Sequence, residues 1–169
     1  MPAEAAALAA IQRRAWVQQL PVEVAEAALA ELDLEQMTQS WHAAITRPPL
    51  AQFRVLVALG NDKPVGFAAV GPADDADAEP GTDGTVAEFT IDPQAQRAGH
   101  GSRLLHACVD TLKADGFTRA TWWVRSTDDV VRRFLTEAGW APDGAHQEVG
   151  NSAAGARLKL VRLHTAIAD

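Results

Sequence analysis

Ile91-Asp92-Pro93-Gln94-Ala95-Gln96-Arg97-Ala98-Gly99-His100-Gly101-Ser102-Arg103-Leu104-Leu105 is the stretch that decides the fold. Apolar residues from Val86 to Ile91 predict a short strand that runs into Pro93. Gly99 and Gly101 predict a tight loop, and the apolar spacing after them predicts a helix over 100–114. A helix N-terminus leaves backbone N–H groups without partners and carries partial positive charge. Glycines at alternate positions let a phosphate approach those groups without meeting a Cβ. Arg97 and Arg103 add positive charge beside the loop. The segment therefore reads as strand, anion cradle and helix. Taken alone, it also fits an ordinary strand-to-helix turn.

Two other anion loops do not fit. The dinucleotide fingerprint needs a third glycine where Leu104 stands. The Walker loop needs Gly-Lys-Ser/Thr, which the chain lacks. Gln96-x-x-Gly99-x-Gly101, after a strand that ends in x-Pro, resembles instead the acetyl-CoA pyrophosphate loop of the GNAT N-acetyltransferase superfamily. That family's pattern is Gln/Arg-x-x-Gly-x-Gly/Ala. Downstream, Trp122-Trp123-Val124, the cap Ser126-Thr127-Asp128 and the run Phe134-Leu135-Thr136-Glu137-Ala138-Gly139-Trp140 resemble the family's second signature. Upstream, Arg54 to Leu59 and Val65 to Val70 flank the turn Gly60-Asn61-Asp62-Lys63-Pro64, a hairpin such as the family has there. The resemblance runs in order and spacing over residues 53 to 165 or so.

The resemblance implies an α+β fold. The sheet would be GNAT-like, mixed and mostly antiparallel, with helices on both faces. Its two central strands, here 86–91 and 119–125, would part in a V-shaped splay. Acetyl-CoA is the implied cosubstrate, and no metal is implied. The thioester arm would bond the backbone of Phe89, Thr90 and Ile91 like an added strand. The loop of Arg97, Ala98, Gly99, His100, Gly101 and Ser102 would hold the pyrophosphate. His100 is read either as a phosphate contact or as a solvent-facing residue whose backbone does the binding. Asp128 stands where the family has an asparagine near the pantetheine arm. An ionised aspartate cannot donate a hydrogen bond as asparagine does, and a helix N-cap is its other reading.

The implied reaction moves an acetyl group from acetyl-CoA to a primary amine of a small molecule by direct attack. Here the chain departs from the family. Many members protonate the leaving thiolate with a tyrosine, and Leu135 occupies that position in a chain without any tyrosine. The family's usual base positions fall on Thr85 and Ala87, which carry no base. Glu88 is the best candidate base, although strand alternation turns it the other way. Its replacement by glutamine is then expected to cost less than about tenfold in rate. His146 is a second candidate, weighed against an exposed, hydrogen-bonded histidine. Trp123 replaces a glutamate used by some members. Trp122, Trp123 and Trp140 are read mainly as core, with an aromatic acceptor wall as the alternative. The alternative function is a degenerate domain that binds acyl-CoA as a sensor or structural module. The family takes its acceptor pocket from the loop Gln18 to Glu23 and the last hairpin, Gly150 to Gly155.

Composition bounds the remaining classes. The chain has 169 residues, 47% of them hydrophobic, and a mean hydropathy of −0.10, so one domain spanning 1–169 is expected. No apolar run approaches the roughly 20 residues of a membrane span. The alanine-rich, acidic start lacks the order of a signal peptide, and a cytoplasmic location is expected. A net charge of −7 and a pI near 5.1 argue against a nucleic-acid partner. A homodimer stays open. Cys108 is the only cysteine and falls in the apolar pattern of its helix, as a core residue would.

The rest of the chain is read in order. Residues 4 to 46 are helical, broken by Pro21, with Asp33 marking either a kink or a new cap. A hairpin over 53–70 follows, then an acidic loop from Gly71 to Thr85. That loop is read as solvated, with attraction of a cationic amine as the alternative. A strand over 118–125, a helix over 128–138 and a hairpin of 144–149 with 156–165 complete the chain.

Overall fold

A computed structural model describes residues 2–151 and 156–168. Its strands, β1 (Arg54–Gly60), β2 (Lys63–Pro72), β3 (Asp83–Ile91), β4 (Arg119–Arg125), β5 (Ala141–Asn151) and β6 (Ala156–Ala166), form a sheet in the order β1-β2-β3-β4-β6-β5. The chain divides into two compact units, Met1–Val70 with Glu88–Cys108, and Gly71–Ala87 with Val109–Asp169.

In the first unit the helical region resolves into α1 (Ala5–Gln19), α2 (Val22–Glu31) and α3 (Leu34–Thr46). Pro21 ends the first run, as its fixed φ and missing N–H require. Asp33 is a cap: it accepts from the Gln36 N–H, and the Gln36 side chain accepts from the Asp33 N–H. This reciprocal arrangement satisfies two orphan donors and starts a new helix. Arg13 of α1 donates to the Leu32 carbonyl at the end of α2. The hairpin strands are β1 (Arg54–Gly60) and β2 (Lys63–Pro72), paired antiparallel. Asn61 and Asp62 take φ of 49° and 60° in its turn, residue types that tolerate the left-handed region. Leu8, Ile11, Met37, Trp41, Phe67 and Ala69 form the core of this unit. Trp41 meets Phe67 edge-on at 4.7 Å and donates its indole N–H to Gln12 at 2.9 Å.

The second unit carries β4 (Arg119–Arg125), β5 (Ala141–Asn151) and β6 (Ala156–Ala166), with antiparallel pairs β4–β6 and β5–β6. The strand β3 (Asp83–Ile91) begins here and runs parallel to β4. Among the described residues this parallel ladder covers Asp83–Thr85 against Arg119–Thr121. β4 continues to Arg125 paired to β6. The expected splay requires such a ladder, closed at one end and short. The glycine loop leads into α4 (His100–Ala114), which has the expected bounds. Gly116, at φ 92°, turns the chain after it. Next comes α5 (Asp129–Glu137), ended by Gly139 at φ 90° and closed by a bond from the Trp140 N–H to the Leu135 carbonyl at 2.9 Å. Leu112, Phe117, Ala120, Trp122, Val124, Leu135, Trp140 and Leu163 are buried. Trp122 and Trp140 pack edge-on at 6.1 Å.

Three expectations need correction. β3 starts at Asp83, not Val86, so the acidic loop is shorter than Gly71 to Thr85. The polar start of β3 is held by the ladder to β4 and by the ion pair of Asp83 with Arg119 at 3.1 Å. β5 spans Ala141–Asn151 rather than 144–149, with a register shift between Pro142 and His146. Strict alternation also fails in β3: Val86 is buried, and then Ala87 and Glu88 are both exposed. The turn of the last hairpin at 152–155, part of the expected acceptor wall, lies outside the described residues.

Candidate functional site

The end of β3 is fixed before the glycine loop begins. The Asp92 N–H donates to the Val65 carbonyl of β2 at 2.8 Å. Its side chain accepts from the Gln94 N–H at 3.0 Å and so starts a short 3-10 turn, Pro93–Ala95. The same carboxylate receives Nε and Nη2 of Arg14, from α1, at 3.2 and 2.6 Å. Asp92 is only 6% exposed. Burial opposes its charge, but Arg14 and the Gln94 N–H outweigh burial and hold the carboxyl below its ordinary value.

Beyond this stem Arg97 takes φ 64° and Gly99 φ 76°. A Cβ placed on Gly99 meets nothing within 4 Å. The Arg103 N–H bonds the Gly99 carbonyl at 3.3 Å, as the i→i−4 pattern of α4 requires. The N–H groups of residues 100–102 lie ahead of that bond, in the turn where a helix leaves its donors for an external acceptor. The His100 ring is half-buried rather than solvent-facing. Its Nδ1 lies 2.6 Å from Arg103 Nη2, and a Cβ on Gly60 would stand 3.3 Å from the ring. Its side chain is thus turned to the hairpin, which leaves its backbone to serve an anion.

The three residues expected to hold the thioester arm do not stand alike. The Thr90 carbonyl lies on the β2 side, 2.8 Å from where a Gly66 Cβ would be. A strand alternates its backbone groups edge by edge. Phe89 and Ile91 therefore turn their N–H and C=O groups to the other edge. Gly66 is required for this approach, since a Cβ there would also stand 2.6 Å from the Ile91 side chain.

Glu88 is an exposed residue whose carboxyl is subject to desolvation. This desolvation raises it from 4.5 to about 6. A carboxylate with that affinity is ionised at neutral pH and still takes up protons readily.

In the second unit Asp128 is the N-cap of α5. One oxygen accepts from the Val131 N–H and the other from Arg125 Nη2, both at 3.1 Å. Leu135 is fully buried. His146 is exposed, with Nδ1 3.4 Å from the Gly144 carbonyl. Cys108, in the first unit, is fully buried, and burial pushes its thiol up to about 12. Trp122 is core, while Trp123 is half-buried.

Trp123 and Arg162 tether the acidic loop, whose Asp74, Ala76, Asp77 and Glu79 stay exposed as expected. The Trp123 indole N–H donates to Asp75 at 2.8 Å. Arg162 stacks 5.5 Å from the Trp123 ring centroid and binds both oxygens of Asp77 at 2.7 Å. Arg162 Nε reaches Asp143 at 2.6 Å, and Arg119 reaches the same carboxylate at 2.7 Å. Sequence reasoning missed Arg14 and Arg162. Each had a signal: Arg14 follows the buried Ile11 by three residues in α1, and Arg162 falls on the same strand face as Leu158 and Leu160. Among the described residues no cluster of His, Cys, Asp or Glu could hold a metal ion.

The mixed sheet, with its glycine loop between β3 and α4, has the layout of an acetyltransferase fold. Residues 14–140 match the profile of the acetyltransferase (GNAT) family, and the chain belongs to that family. A ribosomal-protein-alanine N-acetyltransferase from Brucella melitensis superposes with a TM-score of 0.76 at 21% identity, over 98% of this chain and 96% of that one. The yncA protein of Salmonella typhimurium, solved with acetyl-CoA, gives 0.73 at 20%, over 100% and 91%. The PaiA N-acetyltransferase of Thermoplasma acidophilum, in complex with coenzyme A, gives 0.69 at 13%, over 98% and 94%. No curated protein sequence matches the chain. Acetyl-CoA-dependent acetyl transfer is the chemistry of this family, and the residues at the β3–α4 loop suit a pyrophosphate.

Proposed function

We propose that this chain is an N-acetyltransferase that moves the acetyl group of acetyl-CoA to the primary amine of a small molecule, acting as one domain in the cytoplasm. The observation that carries the reading is the loop between β3 and α4. Gly99 leaves open space beside left-handed backbone, and the first N–H groups of α4 precede its first internal bond. The pyrophosphate would sit on residues 97–102. The thioester arm would run along the edge that Phe89 and Ile91 present.

The neutral amine nitrogen attacks the thioester carbonyl carbon. The C–S bond then breaks, CoA leaves as the thiolate, and the amine gives up one proton. Glu88, directly or through water, takes that proton. Leu135 has no hydroxyl, so the thiolate takes its proton from water. Holding the two reactants together supplies much of the acceleration, and a side-chain base adds a further 10²–10⁴-fold or so.

A second reading keeps a specific observation behind it. With Leu135 buried and no tyrosine in the chain, the domain would bind acyl-CoA without efficient turnover. A thiol-release assay with a panel of small amines separates the two. CoA released only when an amine is present supports the enzyme. Tight acetyl-CoA binding with no amine-dependent release across the panel supports the sensor.

A further inference from the structure

We propose that Arg14 is a positioning residue for the cofactor loop, acting through Asp92 as a latch between α1 and the loop stem. This rests on the reading of residues 97–102 as the pyrophosphate site.

The loop has two stems. One is the first turn of α4. The other is Asp92 with its 3-10 turn, since Arg97 and Gly99 stand in left-handed backbone between them. Asp92 fixes that stem in three directions: its N–H to Val65, its carboxylate to the Gln94 N–H, and the same carboxylate to Arg14. The first bond ties the stem to β2 and the second is local to the stem. Only the third ties the stem to a helix whose own place is set by a core. That helix buries Ala5, Leu8, Ala9, Ile11 and Ala15, and Arg14 lies between the last two. The fork geometry matters, because two parallel N–H···O bonds fix direction as well as distance. A Cβ on Gly99 would meet nothing within 4 Å, so no side chain braces the loop on that side. A tilt of the stem is therefore passed to the N–H groups that meet the phosphates.

Removing Arg14 leaves a carboxylate in a buried position with one backbone donor. Such a group seeks water or protonation, and either movement disturbs the 3-10 turn. The loss falls on acetyl-CoA binding rather than on the chemical step, because neither Arg14 nor Asp92 is assigned to the reacting atoms.

The test compares Arg14→Gln, Arg14→Lys and Asp92→Asn with the wild-type protein. It reads KM for acetyl-CoA, KM for the amine, kcat, direct CoA affinity by calorimetry, and melting temperature. The expected result for Arg14→Gln is a rise of roughly 10- to 100-fold in KM for acetyl-CoA and in the CoA dissociation constant. KM for the amine and kcat should change by less than about threefold. Arg14→Lys should recover part of the loss, and adding Asp92→Asn to Arg14→Gln should cost little more. A folded Arg14→Gln protein with unchanged CoA affinity overturns the latch while leaving the acetyltransferase reading intact. So does a lower melting temperature with every kinetic constant preserved. Should Arg14→Gln fail to fold, Asp92→Asn carries the same test, because it keeps the side-chain shape and an acceptor for Gln94. A wild-type protein that binds no CoA overturns the parent reading, and the latch with it.

Discussion

At the scale of single residues, Glu88 is the proposed base. The pattern of β3 suggested that it faces away from the chemistry, and a weak effect of its removal followed from that. Two successive exposed residues, Ala87 and Glu88, break the alternation on which that argument stood. The raised carboxyl strengthens the case for a base. Glu88→Gln should lower kcat/KM by roughly 10²-fold. The sign of the pH dependence follows from the direction of the shift. The base works ionised, so kcat/KM should rise through about pH 6, and that acid limb should vanish in Glu88→Gln. A pH profile unchanged by the substitution would return the proton to bulk water. Gly101 tests the cofactor side. A valine there would fill the approach to the N–H groups of residues 100–102. Gly101→Val should weaken acetyl-CoA binding by at least about tenfold, and calorimetry on the folded variant checks it. The glycine loop was legible because glycine spacing is a local property. The break at Ala87 was not, because alternation is read from sequence only where it holds.

At the scale of elements, helices were legible where a cap or a breaker stands in the chain. The bounds of α4, the Pro21 break and the Asp33 start all follow from side chains that act within one turn. Asp128 belongs with them. Its two oxygens are already used by the Val131 N–H and Arg125, which leaves the cap as its structural role. Asp128→Ala should cost about 1 kcal/mol of stability and change acetyl-CoA affinity by less than about threefold. Denaturant melts and calorimetry together decide it. A large loss of affinity would restore a cofactor contact. Strand bounds were less legible. Asp83 and Gly84 look like loop residues, and they lie in β3 because Arg119 and the β4 ladder hold them. Those partners are distant in sequence, so no local pattern announces them.

At the scale of the whole molecule, the decisive ion pairs join residues far apart in the chain. Arg14 and Asp92 are 78 positions apart, and Arg162 and Asp77 are 85 apart. Composition gave the net charge but not which acidic residues are already answered. The acidic loop is the clear instance, since Arg162 holds Asp77 well below the usual carboxylate range, at about 2. Arg162→Gln should destabilise the protein by on the order of 3 kcal/mol, through the buried Asp143 rather than the solvent-reached Asp77. Both carboxyls are depressed in the folded state. Their contribution is present above the ordinary carboxylate range and is lost as pH falls through the folded values. The gap between wild type and Arg162→Gln should therefore be full at pH 7 and close toward pH 2. Urea melts at a series of pH values measure it, and a gap independent of pH would contradict it. The solitary Cys108 has a practical consequence. Sealed inside and held as a neutral thiol, it stays silent toward a colorimetric sulfhydryl reagent while the chain is folded. The colour that develops during turnover is then coenzyme alone, and a slow extra equivalent per chain would report molecules coming apart.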